Sequence, residues 1–403
     1  MEPITDENII LYYIIFKYNI RIMNDQICDT FNRLFYDDLV YYNNQFNSHK
    51  TKILAKYTPL NTRSLIVSQS PFFPAEIYKF VTTTRQCMME YTFNIYNTRI
   101  YLKFFKFGTE ATSLEKKEYN TYLKFIYIWL SICVEHTSNK TNKTLAINIY
   151  LTDFKKTLPA NNSVVLSPEH ANTASTFRCI QTGEITIYRK EEWFKVFIHE
   201  TIHSYCFDFS GENIAEINRI MCSRFNINCD FNVNLSEAYT EIWARVINSV
   251  IYAFFSLGIR PNKQEFIKTV KTSLNKEVEH SLIQAQKVLN HMGLTFGDLN
   301  VKGGRATTLY KENTNIFGYY ILTAIMLNDY TDFIQWCFMN NVGDENISIF
   351  KFDAKPETLN AFMKFIINKS DSGSFNNRIK EATFKTQGAN MNMTVLEVPK
   401  LSY

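Results

Sequence analysis

Apolar side chains follow helical spacing in some stretches of the first 154 residues and strand spacing in others. Residues 7–46 carry apolar groups at helical intervals, although their Ile and Tyr content leaves a strand open as an alternative. Residues 89–107 contain two runs of β-branched and aromatic residues that meet at Asn97-Thr98, which predicts a hairpin. Residues 116–136 predict a helix of about five turns, and the alternating residues 143–154 predict a strand.

The pattern next predicts two short strands followed directly by a helix. The strands are expected at residues 172–179 and 184–189. The helix is expected from about residue 191 to 209, ended by Ser210-Gly211. A wide arc of this helix is apolar, so much of it should be buried. A further strong helical pattern runs from about residue 234 to 258.

Residues beyond 261 show helical spacing throughout. We therefore predict an α+β fold whose C-terminal part is a helical subdomain. Four segments follow from the pattern: an N-terminal α/β region without an assigned role (1–110), a core of mixed sheet and two helices (111–260), the helical subdomain (261–370) and a polar, loosely ordered tail (371–403).

Composition and charge limit the classes of partner. Apolar residues make up 46% of the 403 residues and charged residues 20%, which is typical of a folded globular protein. The formal net charge is +4, and Lys and Arg do not cluster into a block, so no nucleic-acid partner is expected. Because no apolar run has the length of a membrane span, no membrane partner is expected either.

Targeting signals and cysteine usage favour an intracellular protein. The N-terminal segment carries acidic residues where a signal peptide needs basic ones, and no small-residue cleavage site follows. None of the eight cysteines forms a CxxC pair. We therefore expect a protein that is not secreted by a signal peptide and whose thiols are reduced.

Candidate chemistry is concentrated in the sequence HETIH at residues 199–203. On a helix His199 and His203 project from one face, so both imidazoles can reach one Zn²⁺ ion. Glu200 points to the side where a metal-bound water would lie, and a carboxylate there can act as general base. The alternative is a pair of core-edge histidines with Glu200 as a surface charge. A polar triplet in a mostly apolar helix argues against that alternative, because buried polar groups need partners.

A catalytic zinc site needs a third protein ligand. The three-histidine pattern HExxHxxGxxH is excluded, because positions 206 and 209 are Cys and Phe. The next predicted helix offers Glu237 and Glu241, and Glu237 lies 237 − 203 = 34 residues beyond His203. We prefer Glu237 as the ligand. Glu241, one turn further on, would accept a hydrogen bond from one histidine and so orient it.

Both carboxylates have alternative interpretations. Glu237 could form a capping box with Asn234, and Glu241 could pair with Arg245 one turn along the helix. Three residues at shorter spacing are rival ligands: Glu212, Glu216 and Cys206.

HETIH followed by EAYTE resembles the gluzincin branch of the zincin metallopeptidases, whose pattern is HExxH followed by ExxxD or ExxxE on the next helix. The resemblance covers about residues 143–258 and includes the succession of two strands and two helices. The stretch GEITIYRKEEWFKVFIHETIHSYCFDFS is also similar to uncharacterised zincin-like proteins of large nucleocytoplasmic DNA viruses. A zincin-like core is therefore the fold that the resemblance implies.

The resemblance implies a role for each candidate residue. His199, His203 and Glu237 would bind one Zn²⁺ ion, Glu200 would be the base, and Glu241 would support a histidine. The first strand would be an exposed edge that pairs with the substrate backbone, here through Asn172, Thr173, Ala174 and Ser175.

The family also usually supplies a Tyr or His from its C-terminal part to stabilise the oxyanion. Tyr320 is the candidate for this role, with Tyr319 beside it, and aromatic core packing is the alternative for both.

The expected function is zinc-dependent hydrolysis of a protein or peptide substrate through a metal-bound water. The expected location is the cytoplasm of a host cell, or a virion into which the protein is packaged. Two other classes stay open. One is an inactive zincin-fold protein that keeps zinc for structure or binding, and the other is a metal-free virion or host-interaction protein.

Overall fold

The structure is a computed structural model that describes residues 24–60, 70–108, 110–137, 143–228, 233–258, 262–342 and 348–399. The part of the N-terminal helical pattern before residue 24 lies outside the described residues. Within the described residues, six strands form one sheet: β1 (Leu54–Leu60), β2 (Gln86–Ile95), β3 (Thr98–Phe107), β4 (Lys143–Tyr150), β5 (Ala174–Thr176) and β6 (Thr182–Ile187).

The sheet is mixed, with strand order β1-β2-β3-β4-β6-β5. Strands β1, β2 and β3 are antiparallel neighbours, β3, β4 and β6 run parallel, and β5 pairs antiparallel with β6. The predicted hairpin is confirmed as β2–β3, with Ile95 opposite Thr98, so the turn consists of Tyr96 and Asn97. Strand β5 is therefore a short edge strand, and it covers fewer residues than the sequence pattern predicted.

Helices surround this sheet and confirm the α+β prediction. The described residues contain α1 (Asn24–His49), α2 (Ala75–Thr83), α3 (Ser113–His136), α4 (Pro168–Ala171), α5 (Trp193–Ser204), α6 (Ala215–Arg224), α7 (Leu235–Ser256), α8 (Lys263–His291), α9 (Ala306–Leu309), α10 (Thr323–Asn328), α11 (Tyr330–Asn341), α12 (Pro356–Ser370) and α13 (Gly373–Ala382). A π-helix spans Phe317–Leu322 directly before α10. No helix in the described ranges has the length and apolar character that crossing a bilayer requires.

One sheet and one apolar core extend across the boundary that the sequence suggested at residue 110. Strands β1–β3 come from before it and β4–β6 from after it. The core reaches from Ile27 on α1 to Met393 near the end of the chain, and α1 packs against α3 and α11. Residue 110 therefore does not coincide with a break in the sheet or the core.

Helix α5 ends at Ser204, five residues before the predicted end at residue 209. Cys206 adopts a left-handed conformation with φ of 61°, and the Phe207 N–H donates to the Ile202 carbonyl at 3.0 Å. This 6→1 hydrogen bond is the Schellman arrangement that ends helices, usually with glycine at the left-handed position. The sequence prediction placed the end at Ser210-Gly211 because Cys is an unusual residue for that role.

The C-terminal segment contains helix α13 and a partly buried stretch, where the sequence pattern predicted a loose polar tail. Residues 389–396, here called the C-terminal strap, follow helix α13 and include buried Met391 and Met393. The N–H groups of Val395 and Leu396 donate to the Glu277 carboxylate at 2.8 and 3.2 Å. The polar composition was misleading because the backbone of the strap is satisfied by buried side chains.

Candidate metal centre

Helix α5 carries the HETIH sequence into the centre of the molecule. It follows β6 and packs against β5, β6 and α7, and all 12 of its residues are buried. Helix α7 carries Glu237 in its first turn, and the two helices face each other. The fold thus positions His199, His203 and Glu237 from two packed helices, which fix side chains more firmly than loops do.

Three possible metal ligands converge between α5 and α7. The Nε2 atoms of His199 and His203 are 3.1 Å apart, and the Glu237 carboxylate lies 3.1 Å from the first and 3.4 Å from the second. Neighbouring ligands of a tetrahedral ion with bonds of about 2.0–2.1 Å stand roughly 3.3 Å apart. These three residues therefore form a group that could hold one metal ion.

Each imidazole is oriented by a carboxylate at its other ring nitrogen. His199 Nδ1 lies 3.1 Å from Glu241, and His203 Nδ1 lies 3.0 Å from Asp208. Hydrogen bonds from Nδ1–H to these acceptors leave the Nε2 lone pairs directed at the common point, as metal-binding histidines require. The structure places Glu241 on His199, whereas Asp208 did not emerge from the sequence.

Glu241 lies in a buried cluster of charges behind His199. Lys195 Nζ contacts both carboxylate oxygens at 2.9 and 3.1 Å, and Arg245 Nε donates to one of them at 2.9 Å. The pairing with Arg245 that the sequence offered as an alternative thus forms together with the contact to His199. Lys195 was missed, although its position four residues before His199 on an apolar helix was a usable signal.

The local charges favour ionised carboxylates and protonated imidazoles when no metal is bound. Burial alone would raise the pKa of Glu237, but the charge of His203 and hydrogen bonds from both histidines lower it below the usual range. Burial would lower the pKa of His203, but Glu237 and Asp208 raise it well above the usual value. A metal ion must displace these protons, so metal binding should weaken as the pH falls.

Glu200 borders a cleft between α5 and the edge strand β5. The cleft has a volume of about 160 Å³, and its lining includes Glu200, His203, Glu237, Ser175 and Tyr319. Burial raises the pKa of Glu200, and the two histidines partly oppose this effect. A carboxylate of raised pKa beside a candidate metal group has the properties of a general base.

Tyr319 faces this cleft, whereas Tyr320 does not. The Tyr320 side chain is 1% exposed, and its hydroxyl donates to the Met391 carbonyl at 2.6 Å in the C-terminal strap. The Tyr319 ring lies 5.8 Å from the His199 ring, and its side chain lines the cleft together with those of Asn315 and Glu237. The expectation that Tyr320 lies at the site is therefore corrected: Tyr320 packs in the interior, and Tyr319 is the tyrosine that borders the cleft.

The structure also shows where the other interpretations of the candidate ligands stand. Asn234 caps α7 without a side-chain hydrogen bond, so the capping box with Glu237 does not form. Glu216 is an exposed residue paired with Arg219, and Glu212 is exposed as well. Both lie outside the group that could hold a metal.

Cys206 is bonded to Cys179 in a disulfide that links the segment after β5 to the residues just beyond α5. Its sulfur is therefore not a candidate thiolate ligand. The expectation that the thiols are all reduced is corrected for this pair.

Ala174 and Ser175 belong to strand β5, and Asn172 and Thr173 precede it. Asn172, Ala174 and Ser175 line the cleft, and Thr173 lines a smaller pocket that also contains His199 and Glu200. The Asn172 amide oxygen accepts a hydrogen bond from Thr314 at 3.1 Å.

Comparison of this chain with protein-family models, with curated proteins and with solved structures gives no match. Function is therefore inferred from the residues of the cleft and their geometry.

Proposed function

We propose that this protein is a zinc-dependent peptidase of the zincin type, with His199, His203 and Glu237 as the zinc ligands and Glu200 as the general base. The observation that carries this proposal is the convergence of three donor atoms within 4.8 Å of one another, beside a carboxylate that borders a cleft. Two imidazoles and one carboxylate form the ligand set of many hydrolytic zinc sites, which keep a further position open.

The donor set supports zinc over harder cations. Mg²⁺ and Ca²⁺ prefer oxygen ligands at higher coordination numbers, whereas imidazole nitrogens suit Zn²⁺ and neighbouring transition metals. Bound zinc would supply Lewis acidity that polarises a carbonyl and makes water more acidic. The hydrogen bonds from His199 to Glu241 and from His203 to Asp208 would hold both ligands in position for it.

Glu200 would move the proton in the hydrolysis. It would accept a proton from the water that attacks the peptide carbonyl carbon, and deliver it to the amine nitrogen as the C–N bond breaks. The raised pKa of Glu200 suits both steps, because the group can hold the proton between them.

Strand β5 would align the substrate. It is an edge strand of the sheet, so its outward backbone groups can pair with an extended peptide by β-augmentation. Asn172, Ala174 and Ser175 face the same cleft as Glu200, which would bring the peptide backbone alongside the metal ligands.

Tyr319 would stabilise the oxyanion. Its side chain borders the cleft beside Glu200 and Glu237, and burial followed by the charge of Glu237 raises the pKa of Tyr319 well above 10.0. The hydroxyl therefore stays protonated at neutral pH and can donate a hydrogen bond to negative charge on the carbonyl oxygen. Gly318 allows this placement, because a Cβ there would lie 3.0 Å from the Asn234 carbonyl at the start of α7.

The decisive experiment measures zinc content and peptide cleavage in the same samples. We expect one zinc per chain after zinc-replete expression, loss of zinc in His203→Ala, and retained zinc without cleavage in Glu200→Gln. His49→Ala is the matched control, because His49 lies on α1 and binds Gln45 of its own helix. A protein that takes up no zinc would contradict the proposal, and zinc without cleavage of any peptide would favour a non-catalytic zinc-binding role.

A further inference from the structure

A single arginine lies at the rim of the candidate active-site cleft. Arg178 comes two residues after the end of β5 and lines the same cleft as His203 and Glu237. Its side chain is 33% exposed, so the guanidinium is held by the protein and remains open to a ligand. None of the roles proposed above uses this residue.

The contacts of Arg178 leave much of its hydrogen-bonding capacity unused. Its Nε atom lies 3.4 Å from an Asp208 carboxylate oxygen, and Nη2 lies 3.5 Å from the Asp208 carbonyl. Both distances are at the long limit for hydrogen bonds. A guanidinium carries five N–H groups, so three of them have no hydrogen-bond partner among the described residues.

Gly211 lies directly against the guanidinium. A Cβ atom at residue 211 would lie 1.9 Å from Arg178 Nη1, so any larger residue would make the end of the arginine side chain move from this position. Gly211 is not among the glycines with positive φ, so its backbone conformation does not itself require glycine. The absence of a side chain at residue 211 therefore permits the close approach of Arg178.

The charge of Arg178 is only partly balanced. The nearest carboxylate, Asp208, also accepts hydrogen bonds from the Ser210 N–H at 3.0 Å and from His203 Nδ1 at 3.0 Å. One oxygen of Asp208 is thus shared by two shorter contacts, while the other makes the long contact with Arg178. The guanidinium presents positive charge to the cleft.

We propose that Arg178 is a specificity-determining residue that binds a carboxylate of the peptide substrate. This inference rests on the proposed peptidase function and names the substrate class: peptides with an acidic group close to the bond that is cut. A planar guanidinium suits this task, because it can bind a carboxylate through two parallel hydrogen bonds.

The direction in which a peptide pairs with β5 determines which of its carboxylates reaches Arg178. Arg178 lies beyond the C-terminal end of β5, and in an antiparallel pair that end faces the N-terminal part of the bound peptide. The carboxylate then belongs to an Asp or Glu side chain that precedes the cleaved bond. A peptide in the parallel direction would instead bring its own C-terminal carboxylate to Arg178.

The competing explanation is that Arg178 only positions Asp208, and through it His203. Loss of the arginine would then weaken zinc binding and affect every peptide equally. Selectivity between acidic and neutral peptides separates the two roles.

The test measures which peptides bind, independently of whether they are cut. Zinc-loaded Glu200→Gln protein is immobilised and exposed to a peptide library of random sequence, and the retained peptides are identified by mass spectrometry. We expect about tenfold enrichment of Asp- and Glu-containing peptides, as one charge-assisted hydrogen-bonded pair would give, and loss of that enrichment when Arg178→Gln is added. The matched control is Arg219→Gln, which removes an arginine that is 71% exposed on α6.

The same library with amidated C termini separates the two sources of carboxylate. Enrichment of acidic peptides that survives amidation assigns the group to a side chain, whereas Arg178-dependent retention of acidic and neutral peptides alike that disappears on amidation assigns it to the C terminus. Retention that does not depend on Arg178 in either library, or that Arg178→Gln lowers equally for acidic, neutral and amidated peptides, would overturn the inference. Acidic enrichment without any cleavage by the wild-type protein would keep the carboxylate site and remove the peptidase function.

Discussion

The two histidines of the candidate metal centre are held by carboxylates with different cationic neighbours. Glu241 lies on a helix, is 1% exposed and contacts Lys195 and Arg245. Asp208 lies on the segment just after α5, and its cationic neighbour Arg178 is 33% exposed and more distant. Both carboxylates are buried, but Glu241 has two close, buried cations whereas Asp208 has one distant, partly exposed cation. His199 and His203 should therefore respond differently to mutation of their carboxylates.

The largest effect is expected from Glu241→Ala. This change leaves the buried cations Lys195 and Arg245 without their carboxylate, and breaking a buried pair in this way costs about 3–5 kcal/mol of unfolding free energy. Zinc affinity should fall as well, by about 10–100-fold. Denaturant unfolding and zinc competition measure the two effects. Glu279→Ala, which removes an exposed partner of Lys385, should change stability by less than about 1 kcal/mol.

The disulfide between Cys179 and Cys206 should affect zinc affinity through Asp208 and not through Glu241. Replacing Cys179 and Cys206 by Ser opens a link that spans 27 residues, which lowers stability by about 3 kcal/mol in the chain-entropy description. Because Cys206 lies two residues before Asp208, we expect its loss to couple with Asp208→Ala in zinc affinity and to be additive with Glu241→Ala. If loss of the disulfide coupled with Glu241→Ala in zinc affinity instead, the supports of His199 and His203 would not be independent of each other.

A third carboxyl, the partly buried Glu312, sharpens the contrast because the described residues provide no cationic partner for it like those of Glu241. It accepts hydrogen bonds from the Tyr310 hydroxyl and the Phe317 N–H, both at 2.6 Å, yet burial raises its pKa to about 8. In the unfolded chain Glu312 ionises near its ordinary pKa of 4.5, whereas in the folded protein it keeps its proton until about pH 8. Stability should therefore fall as the pH rises between these two values.

The size of this pH effect should be about 1–3 kcal/mol, since partial exposure of Glu312 reduces the full value of the shift. Unfolding at pH 5 and pH 8 measures it. Glu312→Gln should abolish the difference in stability between pH 5 and pH 8. If the variant shows the same difference as the wild-type protein, other groups cause it.

The smallest effect on stability is expected from Asp208→Ala. Asp208 is buried but lies beside exposed chain, so we expect a loss of about 1–2 kcal/mol of unfolding free energy. Zinc affinity should fall by about tenfold or more, because His203 loses the acceptor that orients it. Asp371→Ala, at an exposed partner of Arg224, is the control. A stability loss as large as that of Glu241→Ala would end the distinction between the two carboxylates.

The same contrast explains how far the site could be predicted from sequence. Residues within regular helices follow the 3.6-residue period, so His199, His203 and Glu241 could be related to one another before the structure was known. Asp208 could not, because its position depends on the left-handed conformation of Cys206, which ends the helix early. A cysteine in that conformation has no reliable signal in the sequence.

Tyr319 and Tyr320 show a second limit. They lie in a π-helix, whose turns contain more residues than those of an α-helix. The α-helical period therefore gives no reliable basis for choosing between two adjacent tyrosines. The fold shows the same limit: local patterns predicted the β2–β3 hairpin and most helices, whereas the burial of the C-terminal strap depends on partners more than a hundred residues away.

The C-terminal strap also has a consequence for the order of folding. Met393 contacts Lys195 across 198 residues of sequence, and Thr394 donates to Glu277 across 117. During synthesis helices α5 and α7 emerge long before these partners exist, so the charged cluster behind His199 stays incomplete until the strap has left the ribosome. The metal centre should therefore reach its final form only as a late event in folding, and zinc added to a shortened nascent chain should be bound more weakly than by the whole protein.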